Sequence, residues 1–152
     1  IEGGGGGNAG ESYLLAHIVA GYHTETDSWF KRHTKGFLFT IGDEPNLQGI
    51  PGDSLTEILG YQKGAGSISA NEAIRKAQEQ YHVFHITNAS YGTRVAESWK
   101  NLLGQNVLMC KSDEVDKVIA KAIKDNYEEP VYAETPSDAS SSTTTEDKQN
   151  FY

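Results

Sequence analysis

The sequence predicts an α/β fold in which an open parallel sheet lies between layers of helices. Near-continuous apolar runs at residues 36–41, 82–87 and 105–110 have the pattern of strands that are covered on both faces. The segments around them carry apolar residues at three- and four-residue spacing, which is typical of amphipathic helices. Strands joined by helical crossovers run parallel, with right-handed connections. We therefore expect a three-layer parallel sheet of at least three strands.

The first predicted elements occupy residues 11–45. Residues 11–23 form a helix whose apolar face contains Leu14, Leu15, Ile18, Val19 and Tyr22. Asp27 is expected to cap a short helix over residues 28–32. The run Gly36–Ile41 is the first strand, and the turn at residues 42–45 ends it.

Two hydroxyl–glutamate pairs predict the starts of the next helices. Ser54 with Glu57, and Ser69 with Glu72, fit the capping box, in which each side chain satisfies a helix N–H group. The second helix places four residues on one apolar side: Ala73, Ile74, Ala77 and Tyr81.

The last predicted elements follow the strand at residues 82–87. Residues 93–103 form a helix with Val95, Trp99, Leu102 and Leu103 facing inward, and Gly104 stands where a left-handed C-cap is needed. The third strand covers residues 105–110. Ser112 caps a final helix whose buried stripe contains Val115, Val118, Ile119, Ala122 and Ile123. The whole arrangement is that of a Rossmann-like open sheet.

Composition divides the chain into three parts. Residues 1–10 are a glycine-rich loop, residues 11–125 carry the periodic pattern, and residues 126–152 form an acidic, Ser/Thr-rich tail. A sheet of three parallel strands leaves an exposed edge. We therefore expect the sheet to be incomplete as it stands: either a preceding segment completes it, or another chain, in an oligomer or as a complementing partner, covers the edge.

Charge and length exclude several classes of function. The 152 residues contain 13 Lys and Arg against 21 Asp and Glu, a net charge of −8, which disfavours binding to nucleic acid or to an anionic membrane. No apolar stretch is long enough to span a bilayer. The single cysteine, Cys110, excludes an internal disulfide and a cysteine-based zinc site. With no export leader in the sequence, we expect a cytoplasmic domain.

Candidate site residues follow from the rule that open parallel sheets bind ligands beyond the carboxyl ends of their strands. Three segments are expected there: residues 3–11, 42–45 and 87–90. Glu11 and Asp43 supply carboxylates. Each also has a simpler interpretation, because Glu11 suits a helix N-terminus and Asp43 suits a turn.

Four stretches, GGGGGNAGESYLLAHIVA, GFLFTIGDEP, YHVFHIT and ESWKNLLGQNVLMC, resemble the second half of a von Willebrand factor A domain. They are most similar to uncharacterised, often phage-encoded, members, and the resemblance covers residues 3–124. It implies a metal-ion-dependent adhesion site for Mg²⁺, Mn²⁺ or Ca²⁺, with Glu11 and neighbouring Asn8 on one loop and Asp43 on another.

The chain departs from that family in two respects. The family's Asp-x-Ser-x-Ser loop does not precede the glycine-rich run, and its Thr-Asp-Gly is replaced by Thr40-Ile-Gly-Asp43, which displaces the aspartate. A literal Asp-x-Ser-x-Ser match at residues 138–142 lies in the tail, where Ser/Asp-rich composition produces such matches freely.

Three hypotheses about function remain. The first is a non-catalytic protein–protein interaction module that uses the carboxyl ends of the strands. The second is a structural or assembly protein of phage type that keeps the fold without metal. The third is a small Rossmann-like nucleotide-binding enzyme using the Gly3–Gly10 loop, although Glu11 would repel a phosphate there.

An enzymatic role is disfavoured because the sequence shows no convincing nucleophile. Cys110 is expected to be an inert buried thiol. His82 and His85 point to opposite faces of their strand, and His85 is interpreted as a core histidine or one at the end of the sheet.

Overall fold

The computed structural model describes residues 12–88, 90 and 93–130. The predicted glycine-rich loop and residues 131–152 of the predicted tail lie outside this range. The helices are α1 Tyr13–Tyr22, α2 Asp27–Phe30, α3 Gly52–Leu59, α4 Ala70–Gln80, α5 Thr93–Leu103 and α6 Val115–Asn126. The strands are β1 Gly36–Ile41, β2 Gly49–Ile50, β3 Ile68–Ser69, β4 Tyr81–Asn88 and β5 Val107–Cys110. Among these helices, none has the length and apolar character needed to cross a membrane.

The main sheet confirms the predicted parallel α/β architecture. Its strand order is β1-β4-β5, and both pairings are parallel. The register places Thr40 beside His85 and His85 beside Val107. β1 has the predicted bounds, whereas β5 begins two residues late because residues 104–106 form a 3₁₀ turn, with Gly104 at φ +57°. That left-handed conformation is the one predicted for Gly104.

Helices α1, α4 and α5 share one face of the sheet. Their buried residues join Val83 and Val107 of the sheet in a single core that includes Leu14, Ile18, Ala73, Ile74, Ala77, Val95 and Trp99. Helix α1 packs directly on α4, because a Cβ at Gly21 would lie 2.8 Å from the backbone nitrogen of Ala77. Glycine is therefore needed where these two helices touch.

Helix α6 is less deeply buried than its periodicity predicts. Of the predicted stripe, Ala122 is buried, Val115, Val118 and Ile119 are half-buried, and Ile123 is exposed. The helix lies against β5, the edge strand of the sheet, so only a narrow part of its surface meets the core.

The two predicted capping boxes have different outcomes. Ser69 caps α4, since its Oγ accepts a hydrogen bond from the N–H of Glu72 at 3.2 Å. The prediction for Ser54 is wrong, because α3 begins at Gly52 after Pro51 and Ser54 lies within its first turn. The carbonyl of Ala65 packs so closely on Gly52 that a Cβ there would overlap it. Tertiary contact with this loop sets the start of α3.

A second, two-stranded ladder was not predicted. β2 and β3 pair antiparallel, with Gly49 beside Ser69 and Ile50 beside Ile68. Strands of two residues carry no alternation that a sequence pattern could reveal. This ladder ties together the two ends of the long connection between β1 and α4.

Candidate ligand-binding site at the carboxyl ends of the strands

The three strands of the main sheet end in a common cleft of ≈ 430 Å³. Its apolar lining consists of Ile41, Ile86, Cys110 and Val115, and its polar lining consists of Asp43, Thr87, Asn88, Lys111 and Ser112. Every strand therefore contributes to the cleft. This is the position at which open parallel sheets bind ligands.

Hydrogen bonds fix the polar rim on the β4 and β5 side. The amide nitrogen of Asn88 donates to the Ser112 hydroxyl at 2.9 Å, and the Asn88 Oδ1 accepts the Ser90 N–H at 2.8 Å. The N–H of Lys111 donates to the Glu114 carboxylate at 3.2 Å. In the described lining, Asp43 and Lys111 are the charged residues, and they lie on opposite sides of the β4 end.

Asp43 is the one predicted metal ligand that the structure describes, and it lies in the cleft. Glu11 and Asn8 fall outside the described residues. Helix α1, which follows Glu11 in the sequence, begins at the same end of the sheet, because a Cβ on Gly42 would overlap the hydroxyl of Tyr13. The start of α1 and the loop that carries Asp43 are therefore neighbours.

The described part of the cleft does not by itself make a divalent-cation site. It offers one carboxylate, from Asp43, together with the Asn88 amide and the Ser112 hydroxyl, while the Lys111 ammonium would oppose a cation. No group of three His, Cys, Asp or Glu residues with metal-binding geometry occurs within residues 12–88, 90 and 93–130. A cation at Asp43 would need further oxygen ligands, and Glu11 and Asn8 remain the predicted ones.

A buried aromatic cluster lies on the helical face of the sheet, close to the cleft. We call it the Trp99 cluster: Tyr13, His17, His85 and Trp99. The His85 ring stacks on the Trp99 indole with centroids 4.0 Å apart, and the Tyr13 ring packs edge-on against both, at 5.4 and 5.6 Å. The centroids of His17 and Trp99 are 6.0 Å apart.

Each histidine is anchored through its Nδ1. Nδ1 of His17 lies 2.9 Å from the Tyr13 carbonyl oxygen, which can only accept, so Nδ1 donates and the lone pair is on Nε2. Nδ1 of His85 lies 2.9 Å from the Thr40 hydroxyl, and either atom of this pair can be the donor. Neither Nε2 has a hydrogen-bond partner among the described residues.

Both imidazoles are held in the neutral form. Burial and, to a smaller extent, the neighbouring His17 together lower the pKa of His85 to about 4. Burial also lowers the pKa of His17, although the Tyr13 carbonyl acts in the opposite direction. Two side chains with no exposed surface thus stay uncharged at neutral pH and would become positively charged in acid.

The predictions for Cys110 and His82 agree with the structure. Cys110 is buried, and burial, followed by Glu114 and Asp113, raises the pKa of its thiol, which keeps it protonated and unreactive. His82 lies on the face of the sheet opposite His85, where its ring stacks on Phe37 and its Nε2 lies 3.5 Å from Glu128.

The predictions for two helix caps are wrong, because α2 begins at Asp27 itself and α6 begins at Val115 after Glu114 rather than after Ser112. Val19 and Tyr22 of the predicted apolar face of α1 are exposed.

The sequence did not predict the Trp99 cluster, because its members lie on three elements far apart in the chain. One signal was present: His17 and His85 each interrupt an otherwise apolar helix face or strand. Such an embedded polar residue indicates a buried hydrogen-bonded group but does not say which groups meet.

No protein-family model, curated protein or solved structure matches this chain. The fold is a parallel α/β sheet flanked by helices. The resemblance to a von Willebrand factor A domain remains a prediction.

Proposed function

We propose that this chain is a non-catalytic binding module that holds a protein partner in the cleft at the carboxyl ends of its strands. The observation that supports the proposal most directly is the position of Asp43 on the rim of a cleft to which all three strands contribute. The same cleft has an apolar floor, so a partner would gain both burial and charge recognition there.

The lining favours binding over catalysis. On the β4 side, the Asn88 amide is engaged with the Ser112 hydroxyl. The thiol of Cys110 is held protonated. In the described part of the lining, no nucleophile lies beside a base that could activate it.

Asp43 gives the cleft a preference for positive charge on the β1 side. Two sources of that charge are consistent with the lining. A lysine or arginine of the partner could rest its aliphatic stem on Ile41 and Ile86 and bring its cation to Asp43. A divalent cation held by Asp43 with Glu11 and Asn8, as the family resemblance implies, could instead accept a carboxylate from the partner.

Isothermal titration calorimetry distinguishes the two sources. One arm adds Mg²⁺, Mn²⁺ or Ca²⁺, and the other adds the amidated amino acids N-acetyl-lysine methylamide and N-acetyl-arginine methylamide. The proposal expects heat of binding in one arm that Asp43→Asn removes. Asp53→Asn is the matched control, since Asp53 is an exposed carboxylate in the first turn of α3. Heat in neither arm, or heat that both variants leave unchanged, would contradict the proposal.

The nucleotide-binding alternative has less support. A phosphate in this cleft would meet the Asp43 carboxylate, and the Gly3–Gly10 loop lies outside the described residues. A thermal shift produced by a nucleoside triphosphate and lost in Lys111→Gln would favour that alternative over ours.

A further inference from the structure

Within the described residues, β1 is an edge strand of the main sheet. It pairs with β4 on one side, and no described strand lies on its other side. The N–H of Gly42 donates to the Ile86 carbonyl at 3.0 Å, so in the parallel register the backbone groups of Leu38 and Thr40 also point toward β4. The N–H and C=O groups of Phe37, Phe39 and Ile41 therefore point outward.

This edge lacks the sequence features that usually prevent an edge strand from pairing with another chain. From Gly36 to Gly42 it contains no charge, no proline and no bulge. Phe37 and Phe39 stack along it, with planes 9° apart, and Ile41 is 55 % exposed. An uncharged edge with an apolar row is a template for pairing with another strand.

The charges that flank the strand favour an antiparallel partner of the same sequence. Arg32, His33 and Lys35 precede β1, whereas Asp43 and Glu44 follow it, and the charge of Lys31 is already paired with Asp27 at 3.0 Å. Two copies side by side in parallel would place like charges together at each end. Two antiparallel copies related by a twofold axis would place the basic end of each β1 strand beside the acidic end of the other.

We propose that β1 is the interface of a symmetric dimer, in which it pairs antiparallel with the β1 strand of a second copy to form a continuous six-stranded sheet. The twofold axis passes beside Phe39, the central residue of the run from Gly36 to Gly42. In this register Phe37 lies opposite Ile41 of the partner subunit, and Lys35 lies opposite Asp43 of the partner subunit. The outward backbone groups of Phe37, Phe39 and Ile41 are then those that exchange hydrogen bonds across the axis.

The charged pair at each end is compatible with the contacts within one copy. The Lys35 ammonium donates to the Gln78 carbonyl at 2.7 Å and has two further N–H groups to offer. The interface does not require a ligand in the cleft, but it shares Ile41 and Asp43 with the cleft lining. A chain that stays monomeric and still gives binding heat that Asp43→Asn removes would therefore overturn the interface and leave the proposed function standing.

Sedimentation velocity over a wide range of protein concentration tests the interface. The wild-type chain is expected to form a dimer as concentration rises. Ile41→Lys places a charge in the apolar row and is expected to weaken the dimer roughly tenfold or more. Ile58→Lys is the matched control, because Ile58 is 57 % exposed on α3, and it is expected to leave the dimer unchanged.

A charge exchange tests the register. Asp43→Lys is expected to weaken the dimer, and adding Lys35→Asp is expected to restore it, with circular dichroism confirming that each variant is folded. Amide hydrogen exchange gives an independent readout: the amides of Phe37, Phe39 and Ile41 should become protected as concentration rises, whereas those of Leu38 and Thr40 should be protected throughout. A monomer at all concentrations, a dimer insensitive to Ile41→Lys, or no rescue by the double variant would overturn the proposal.

Discussion

The imidazole of His85 lies flat on the indole of Trp99, with ring centroids 4.0 Å apart and planes 12° apart. The same indole donates its Nε1–H to the Glu44 carbonyl at 3.1 Å. A buried stack on the helical face of the sheet therefore holds the loop that presents Asp43 to the cleft. This link between core and cleft leads to the first two predictions.

Trp99→Phe should loosen the loop after β1. The substitution keeps an aromatic ring but leaves the Glu44 carbonyl without its donor and removes part of a fully buried side chain. We expect the free energy of unfolding to fall by about 2–4 kcal/mol, measured by urea denaturation. Hydrogen exchange at Asn46 and Leu47 should accelerate. Trp29→Phe, in the short helix α2, is the control, and an equal loss there would contradict a special role for Trp99.

Stability should fall in acid because of His85. The pKa of this group is about 4 in the folded chain, against about 6.5 when it is unfolded, so the unfolded state binds more protons between these values. Above about pH 6.5, His85 does not lower the free energy of unfolding. As the pH falls toward 4, protonation of the imidazole in the unfolded state lowers this free energy progressively, by up to about 3 kcal/mol. His17 acts in the same direction.

The His85→Gln variant isolates this contribution from that of the carboxylates. Its unfolding free energy should depend less steeply on pH between about 6.5 and 4 than that of the wild type. Parallel pH profiles for wild type and His85→Gln would show that the buried imidazole does not titrate as stated.

Gly42→Ala should disturb the junction between α1 and β1. The new methyl group would overlap the Tyr13 hydroxyl, so the Tyr13 side chain must move. We expect a loss of about 1–3 kcal/mol in thermal or chemical unfolding. Gly66→Ala is the control, since a Cβ there meets nothing within 4 Å. If both variants were equally stable, the close contact between Tyr13 and Gly42 would be wrong.

The two candidate helix caps should respond differently to alanine. Ser69→Ala removes the acceptor for the Glu72 N–H and should cost about 1 kcal/mol of unfolding free energy. Ser54→Ala should cost much less, because α3 already begins at Gly52. A comparable loss for both would mean that Ser54 contributes to the start of α3 after all.

Much of the main sheet could be predicted because its signals are local. The run Gly36–Ile41 is apolar except for Thr40 and is bounded by turn residues, and β1 has those bounds. The start of α4 could also be predicted, since the cap of Ser69 depends on residues three apart. By contrast, α3 begins where Ala65 packs on Gly52, a contact between residues that no local pattern connects.

The candidate site could be predicted only in part for the same reason. The topology of a parallel sheet requires that the residues after each strand meet, so the location of Asp43 follows from the order of the elements. The contributions of Asn88, Lys111 and Ser112 to the rim depend on how α6 approaches β5. The Trp99 cluster depends on how α1 and α5 pack over β4, and periodicity shows which face is buried but not which residues touch.

Mapping of backbone amide chemical shifts by NMR tests the central claim, that the chain binds its partner through Asp43 at the carboxyl ends of the strands. The probes are N-acetyl-lysine methylamide and, separately, Mg²⁺. We predict that one of them shifts the amides of Gly42, Asp43, Asn88 and Lys111 together, and that Asp43→Asn suppresses this response while Asp53→Asn does not. Shifts confined to other surfaces, or none at these four amides with any probe, would contradict it.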